Sequence, residues 1–306
     1  MSEPHLPLAV LAGTVPPAPS WFGDALAHAP AIVPLTVEGA QIELLVWGRS
    51  GAPGVLLCHG GMAHARWWRH IAPWLAQTHR VAALSWSGMG GSGWREHYSV
   101  DTYVAEIIGA AETAGLFAGG PPVVVAHSFG GAAAALAAQR HGGRLAGVLF
   151  VDSGVSPPHP SAYMRRLAPG GKTYPTLEAA LARFRLAPEQ PVENLFVADM
   201  IARDALKQTP NGWTWRFDPS FFTQMEAWDS WAAIHDPACP LGFVYGEHSR
   251  IVPPELRARQ RAHAPPGTPF VGIPASHHHI MIDQPIALIA SIRSFLAVWQ
   301  SWEDYI

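Results

Sequence analysis

Apolar and polar residues alternate from Ile32 to Val37 and again from Gln41 to Trp47, on either side of Glu38-Gly39. A period of two with a glycine-bearing turn between the runs predicts an antiparallel hairpin with one face in water. The pattern then changes. Gly54–Cys58, Arg80–Trp86, Val123–Ala126, Leu145–Val151, Leu241–Tyr245 and Pro269–Ile273 are short and almost continuously apolar. Such runs are what strands buried on both faces of a parallel sheet look like. The stretches between them carry helical spacing: Trp67, Trp68, Ile71, Trp74 and Leu75; Asp101–Phe117; the alanine run Ala132–Ala138; Pro254–His263; and Gln284–Trp299. Strand and helix alternate regularly up to Asp152, stop through a proline-rich stretch from Ser153 to about Asp236, and resume. One interruption of a βα pattern predicts an insertion into an α/β core. The expected organisation is an N-terminal arm over 1–30, a core over 31–152 and 237–306, and a helical cap over 153–236.

Composition narrows the class. The 306 residues are 49% hydrophobic, enough for one large domain with an insertion. A formal net charge of −3, with 20 Lys and Arg scattered along the chain, supplies no basic field for nucleic acid. Two cysteines, Cys58 and Cys239, make neither a disulfide framework nor a metal cluster, and fit a reducing compartment. Met1–Ser20 has no basic leading segment, and its apolar patch Leu6–Ala12 is too short for a membrane span. A cytoplasmic protein without a membrane partner is expected.

Candidate chemistry is concentrated at Ala126-His127-Ser128-Phe129-Gly130-Gly131, where an apolar strand runs directly into a helix. So sharp a corner holds its central residue in a strained conformation and needs small residues two positions away on each side; here they are Ala126 and Gly130. The stretch resembles the nucleophile elbow, G-x-S-x-G, of the α/β-hydrolase superfamily, with Ala126 in place of the first glycine. The resemblance covers nearly the whole chain apart from the first 30 residues and the cap interior. It implies a mostly parallel sheet with helices on both faces and an inserted helical cap, and it implies Ser128 as nucleophile. The glycine-rich Ser87–Gly93 stretch then corresponds to a turn in that fold rather than to a phosphate loop.

A serine nucleophile needs a base, itself oriented by an acid. The Ser276–Pro285 segment resembles the superfamily's histidine loop, and counting back from Asp283 selects His278 as the base. His277 and a metal patch made by His277-His278-His279 are the alternatives, and Asp283 is expected to cap the last helix. In most relatives the acid follows the seventh strand, but the matching slot holds Ser249. Asp152, at the end of the sixth strand, stands at the other acid position known in the superfamily and is the expected acid, with Glu247 as the alternative. By the same resemblance the oxyanion hole consists of the amides of Phe129 and Gly61, then Met62, with His59 bracing its loop.

Trp67, Trp68, Trp86, Trp213 and Trp215 are candidate pocket residues, or alternatively packing between cap and core; Trp228 belongs to the same aromatic group. Arg165, Arg166, Arg183, Arg185 and Arg216 in the cap offer either a carboxylate site or a solvated face. The expected function is hydrolysis of a carboxylic ester of a hydrophobic or aromatic small molecule through an acyl-enzyme, with no cofactor and no metal. Lactone, amide or carbon–carbon bond hydrolysis, a cofactor-free dioxygenase and a non-catalytic ligand receptor are the alternatives on the same fold.

Overall fold

The computed structural model describes residues 5–155, 172–226 and 229–300. The hairpin β1 (Ala31–Val37) and β2 (Ala40–Trp47) forms one side of an eight-stranded sheet. β3 (Gly54–Cys58), β4 (Arg80–Leu84), β5 (Val123–His127) and β6 (Gly147–Val151) continue it, and β9 (Leu241–Gly246) and β10 (Phe270–Ile273) complete it. The order is β1-β2-β4-β3-β5-β6-β9-β10, antiparallel in the first two pairings and parallel from β4 to β10. The alternation of side chains explains why the central runs are apolar throughout. Leu56, Ala82, Val124 and Phe150 pack into one layer with the helices Val100–Thr113 and Gly130–His141. Their neighbours Leu57, Val81, Val125 and Leu149 pack into the other with the helix Pro285–Trp299. Each residue of β3, β5 and β6 therefore meets a covered face whichever way it points.

Local chemistry accounts for the departures from expectation. The tryptophan-rich stretch expected as one helix is a 3-10 turn, Ala65–Trp68, followed by a one-turn helix, Ala72–Leu75. Pro73, with no N–H to donate, is accommodated only at the start of that second piece. The helix expected over Asp101–Phe117 ends at Thr113, because Gly115 turns left-handed at φ 69° and starts a 3-10 turn. The N-terminal arm contains a helix, Ser20–Ala27, whose Phe22 is buried against Phe196 at 4.9 Å between ring centroids.

Between β6 and β9 the inserted region holds the helices Leu177–Leu181 and Leu195–Asp204 and also a small hairpin, β7 (Leu206–Thr209) and β8 (Gly212–Trp215). Among the described residues the inserted region is thus helical with one hairpin. Arg165, Arg166 and Trp228 lie outside the described residues. The inserted region is tied to the histidine loop by side-chain amides. Gln190 donates to Asp283 Oδ1 at 2.9 Å and accepts from the His279 N–H at 2.9 Å, while Asn194 donates to the Ile282 carbonyl at 2.8 Å.

Candidate active site

β5 enters the helix Gly130–His141 at the single residue Ser128, held at φ 52°, a left-handed conformation that serine rarely adopts. Crowding fixes the residues around it. A Cβ on Gly130 would lie 2.7 Å from the His59 carbonyl oxygen, and one on Gly131 would lie 2.0 Å from Ser153 Oγ. Both positions therefore have to be glycine for the helix to start where it does.

The Ser128 hydroxyl meets His278 Nε2 at 2.9 Å, and His278 Nδ1 meets Asp152 Oδ2 at 2.6 Å. Asp152 and His278 are buried. The Asp152 carboxylate is filled on its other positions: Oδ1 accepts from the Gly246 N–H at 2.9 Å and Oδ2 from Ser249 Oγ at 2.5 Å. Ser249 stands in the slot where most superfamily members carry the acid, and here it acts as a donor to the carboxylate on the neighbouring strand. Its own oxygen accepts from the Val252 N–H at 2.9 Å, which orients the hydroxyl proton toward Asp152. Glu247 is elsewhere. Its exposed carboxylate accepts from the Ala275 N–H at 3.0 Å and lies 3.6 Å from the His248 ring.

Asp283 does not cap the last helix, whose N-cap is Gln284. Its carboxylate accepts from the His277 N–H at 2.7 Å and meets the His277 ring at 3.2 Å, which fixes the backbone just ahead of His278. His127 and His279 flank His278, with ring centroids 4.8 and 4.7 Å away. These three histidines bring ligand-type nitrogens within 4.8 Å of one another, but His278 already uses both of its nitrogens on Ser128 and Asp152. Burial, then the nearby His278, holds the pKa of both flanking rings well below the usual histidine range. Both flanking rings are therefore neutral near pH 7 and place no positive charge beside His278.

The loop after β3 lies against the elbow: a Cβ on Gly60 would stand 3.1 Å from Ser128 Cβ, and one on Gly61 would be 3.7 Å from Phe129 Cβ. His59 braces this loop, with Nδ1 2.6 Å from the Gly60 carbonyl and Nε2 accepting from the Trp86 N–H at 3.0 Å. Met62, at φ 58°, turns the chain beside it. A cavity of about 300 Å³ opens here, with Gly61, Met62, Trp67 and His279 in its wall together with Trp215 and Phe217 from the inserted region. Of the tryptophans expected at a pocket, Trp67 and Trp215 line it. Trp68 and Trp86 are fully buried in the two core layers, and Trp213 sits outside the lining, its backbone paired with that of Tyr174. Sequence reasoning missed His64 and His279 as wall residues; the run of three histidines was the one signal for the second.

The buried histidines give a pH-dependent stability. Burial lowers His59 to about 3 and His64 and His70 to about 4. Above pH 6.5 these rings are neutral in both the folded and the unfolded chain. Below it the unfolded chain takes up protons that the folded one refuses, so stability falls as pH falls from 6.5 toward 4. Each ring contributes up to about 1.4 kcal/mol per pH unit, so together they rival the stability of a domain. Cooperative loss of near-ultraviolet circular dichroism is expected within that window. His70→Gln, which keeps a donor for the Met281 carbonyl now 2.8 Å from His70 Nε2, should flatten the dependence of the urea midpoint on pH. An unchanged slope in that variant would contradict the assignment.

A parallel sheet with a strained serine corner at a strand end, a histidine on it and an aspartate from the adjacent strand define the α/β-hydrolase class. A model of the alpha/beta hydrolase family matches residues 55–292, and the chain belongs to that family. Esterase Rv0045c of Mycobacterium tuberculosis is 28% identical over 280 residues, which is 85% of this chain and 88% of that protein. The structure of that esterase superposes with a TM-score of 0.66 at 24% identity, covering 94% of this chain and 96% of the other. The thioesterase domain from the curacin biosynthetic pathway superposes with a TM-score of 0.71 at 24% identity, covering 87% and 99%. At these identities the structural likenesses show the fold. Among the described residues no helix is long and apolar enough to cross a membrane.

Proposed function

We propose that this chain is a serine esterase that cleaves carboxylic esters of small hydrophobic or aromatic molecules, with Ser128 as nucleophile, His278 as general base and Asp152 as the acid. The observation that carries the reading is the unbroken line Ser128 Oγ, His278 Nε2, His278 Nδ1, Asp152 Oδ2, at 2.9 and 2.6 Å. The similarity to a named esterase over most of both chains supports the ester as the bond. Ser128 Oγ attacks the acyl carbonyl while His278 Nε2 takes its proton; Asp152 holds the Nδ1–H tautomer and stabilises the imidazolium. The oxyanion is received by the amides of Phe129 and Gly61, with Met62 beside them. His278 then returns its proton to the departing alcohol. Water, activated by the same imidazole, attacks the acyl-serine, Ser128 leaves, and the carboxylic acid is released.

The inserted region over 153–236 acts as the cap, and Trp67 and Trp215 supply apolar contact in the cavity. We place the protein in the cytoplasm, a reading that two unpaired, buried cysteines support. The test is hydrolysis of p-nitrophenyl esters from acetate to decanoate. A cavity of about 300 Å³ is at the small end of ligand sites, so turnover should peak at short acyl chains and fall for the longest. Absence of turnover across the series would contradict the esterase reading.

A further inference from the structure

The cavity beside the Gly61–Met62 loop has a charge pattern that a purely hydrophobic substrate leaves unused. Its four charged wall residues, Lys172, Arg183, Arg185 and Arg216, are all cations, whereas the chain as a whole carries more acidic residues, 23, than basic, 20. All four come from the inserted region. Among the described residues the side chains of Lys172, Arg183 and Arg185 have no hydrogen-bond or ion-pair partner. Arg216 spends Nε on the Leu206 carbonyl at 2.9 Å and leaves its terminal nitrogens unpaired. Isolated surface cations are ordinary, but four of one sign converging on a cavity walled by Trp67, Trp215 and Phe217 concentrate the field there.

A second observation points the same way. His279 lines this cavity and is 5% exposed. It also follows His278 directly, so a molecule touching it sits next to the proposed triad.

We infer that the preferred esters carry a carboxylate in addition to the scissile bond, held by the cap cations of this cavity while the carbonyl lies at the Gly61–Phe129 donors. The inference rests on the esterase reading and names its substrate class. Arg183 and Arg185 are the specificity-determining residues: they are exposed, support no element of the fold by hydrogen bonds, and point to removal of charge without unfolding. Because they are solvated, the effect on recognition is moderate and salt-sensitive.

The experiment compares kcat/KM for two matched pairs at low salt and in 0.5 M NaCl: the mono-p-nitrophenyl ester of glutarate against p-nitrophenyl pentanoate, and 4-acetoxybenzoate against phenyl acetate. The charged ester of at least one pair should be preferred about tenfold, the preference should shrink in salt, and Arg183→Gln/Arg185→Gln should abolish it, lowering kcat/KM for the charged ester more than for its neutral partner. Equal rates within both pairs, or a preference that survives the double substitution, would overturn the inference. Calorimetric binding of glutarate separates the two readings. Glutarate bound by the wild type and not by the double variant, with no ester turned over, would keep the carboxylate site and remove the esterase; no binding and no preference would remove the site.

Discussion

Ser128→Ala is expected to lower kcat for p-nitrophenyl butyrate by about 10⁴-fold or more, with folding unchanged by circular dichroism. The size follows from the division of labour at the site. Removing the hydroxyl removes the acyl-enzyme route altogether and leaves only what oxyanion donors and binding give to direct attack by water. The fold should tolerate the change, because the hydroxyl's partner is His278 Nε2 at 2.9 Å and the elbow is held by other bonds. The Ser128 N–H donates to the Val151 carbonyl at 3.1 Å, and its carbonyl accepts from Ser153 Oγ at 2.8 Å. Alanine keeps both. A variant retaining more than a few per cent of wild-type turnover would show that the serine is not the nucleophile.

Asp152→Asn is expected to cost about as much, on the order of 10⁴ in kcat with little change in KM, while Glu247→Gln stays within about threefold of wild type. Asp152 Oδ2 faces the His278 Nδ1–H at 2.6 Å. An asparagine presenting its NH₂ there would favour the tautomer with the proton on Nε2, which cannot accept from Ser128. Gly246 N–H and Ser249 Oγ are both donors aimed at this carboxylate, so an asparagine NH₂ in place of either oxygen would also face a donor. Glu247 has none of this arrangement: it is exposed and bonded to the Ala275 amide. Loss of activity in Glu247→Gln with activity retained in Asp152→Asn would transfer the acid to the end of β9.

What was legible in the sequence was what short-range physics determines. A valine run, one serine, two glycines and an alanine run encode strand, corner and helix within twenty residues, and the continuous apolar runs encode strands covered on both faces. With serine rather than aspartate at 249, Asp152 is the carboxylate at the end of the neighbouring strand, and the geometry brings it to His278. Features decided across long distances were not legible. Which tryptophans face a cavity depends on how layers stack, so Trp68 and Trp86 read like Trp67 and yet fill the core. Asp283 precedes a helix and a proline, the position of a cap, but its carboxylate is taken by His277 from the loop before it. The hairpin β7–β8 did leave a signal, Asn211-Gly212 between short polar–aromatic runs, with Gly212 at φ 113°. It was hidden by the prolines around it.

The central claim, that Ser128 is an activated nucleophile, is tested most directly by treating the protein with a fluorophosphonate and locating the adduct by intact mass and peptide mapping. The account predicts one adduct per chain, on Ser128, lost in Ser128→Ala and formed far more slowly in Asp152→Asn. An unmodified Ser128 under conditions that label other serine hydrolases, or an adduct on another residue, would contradict it.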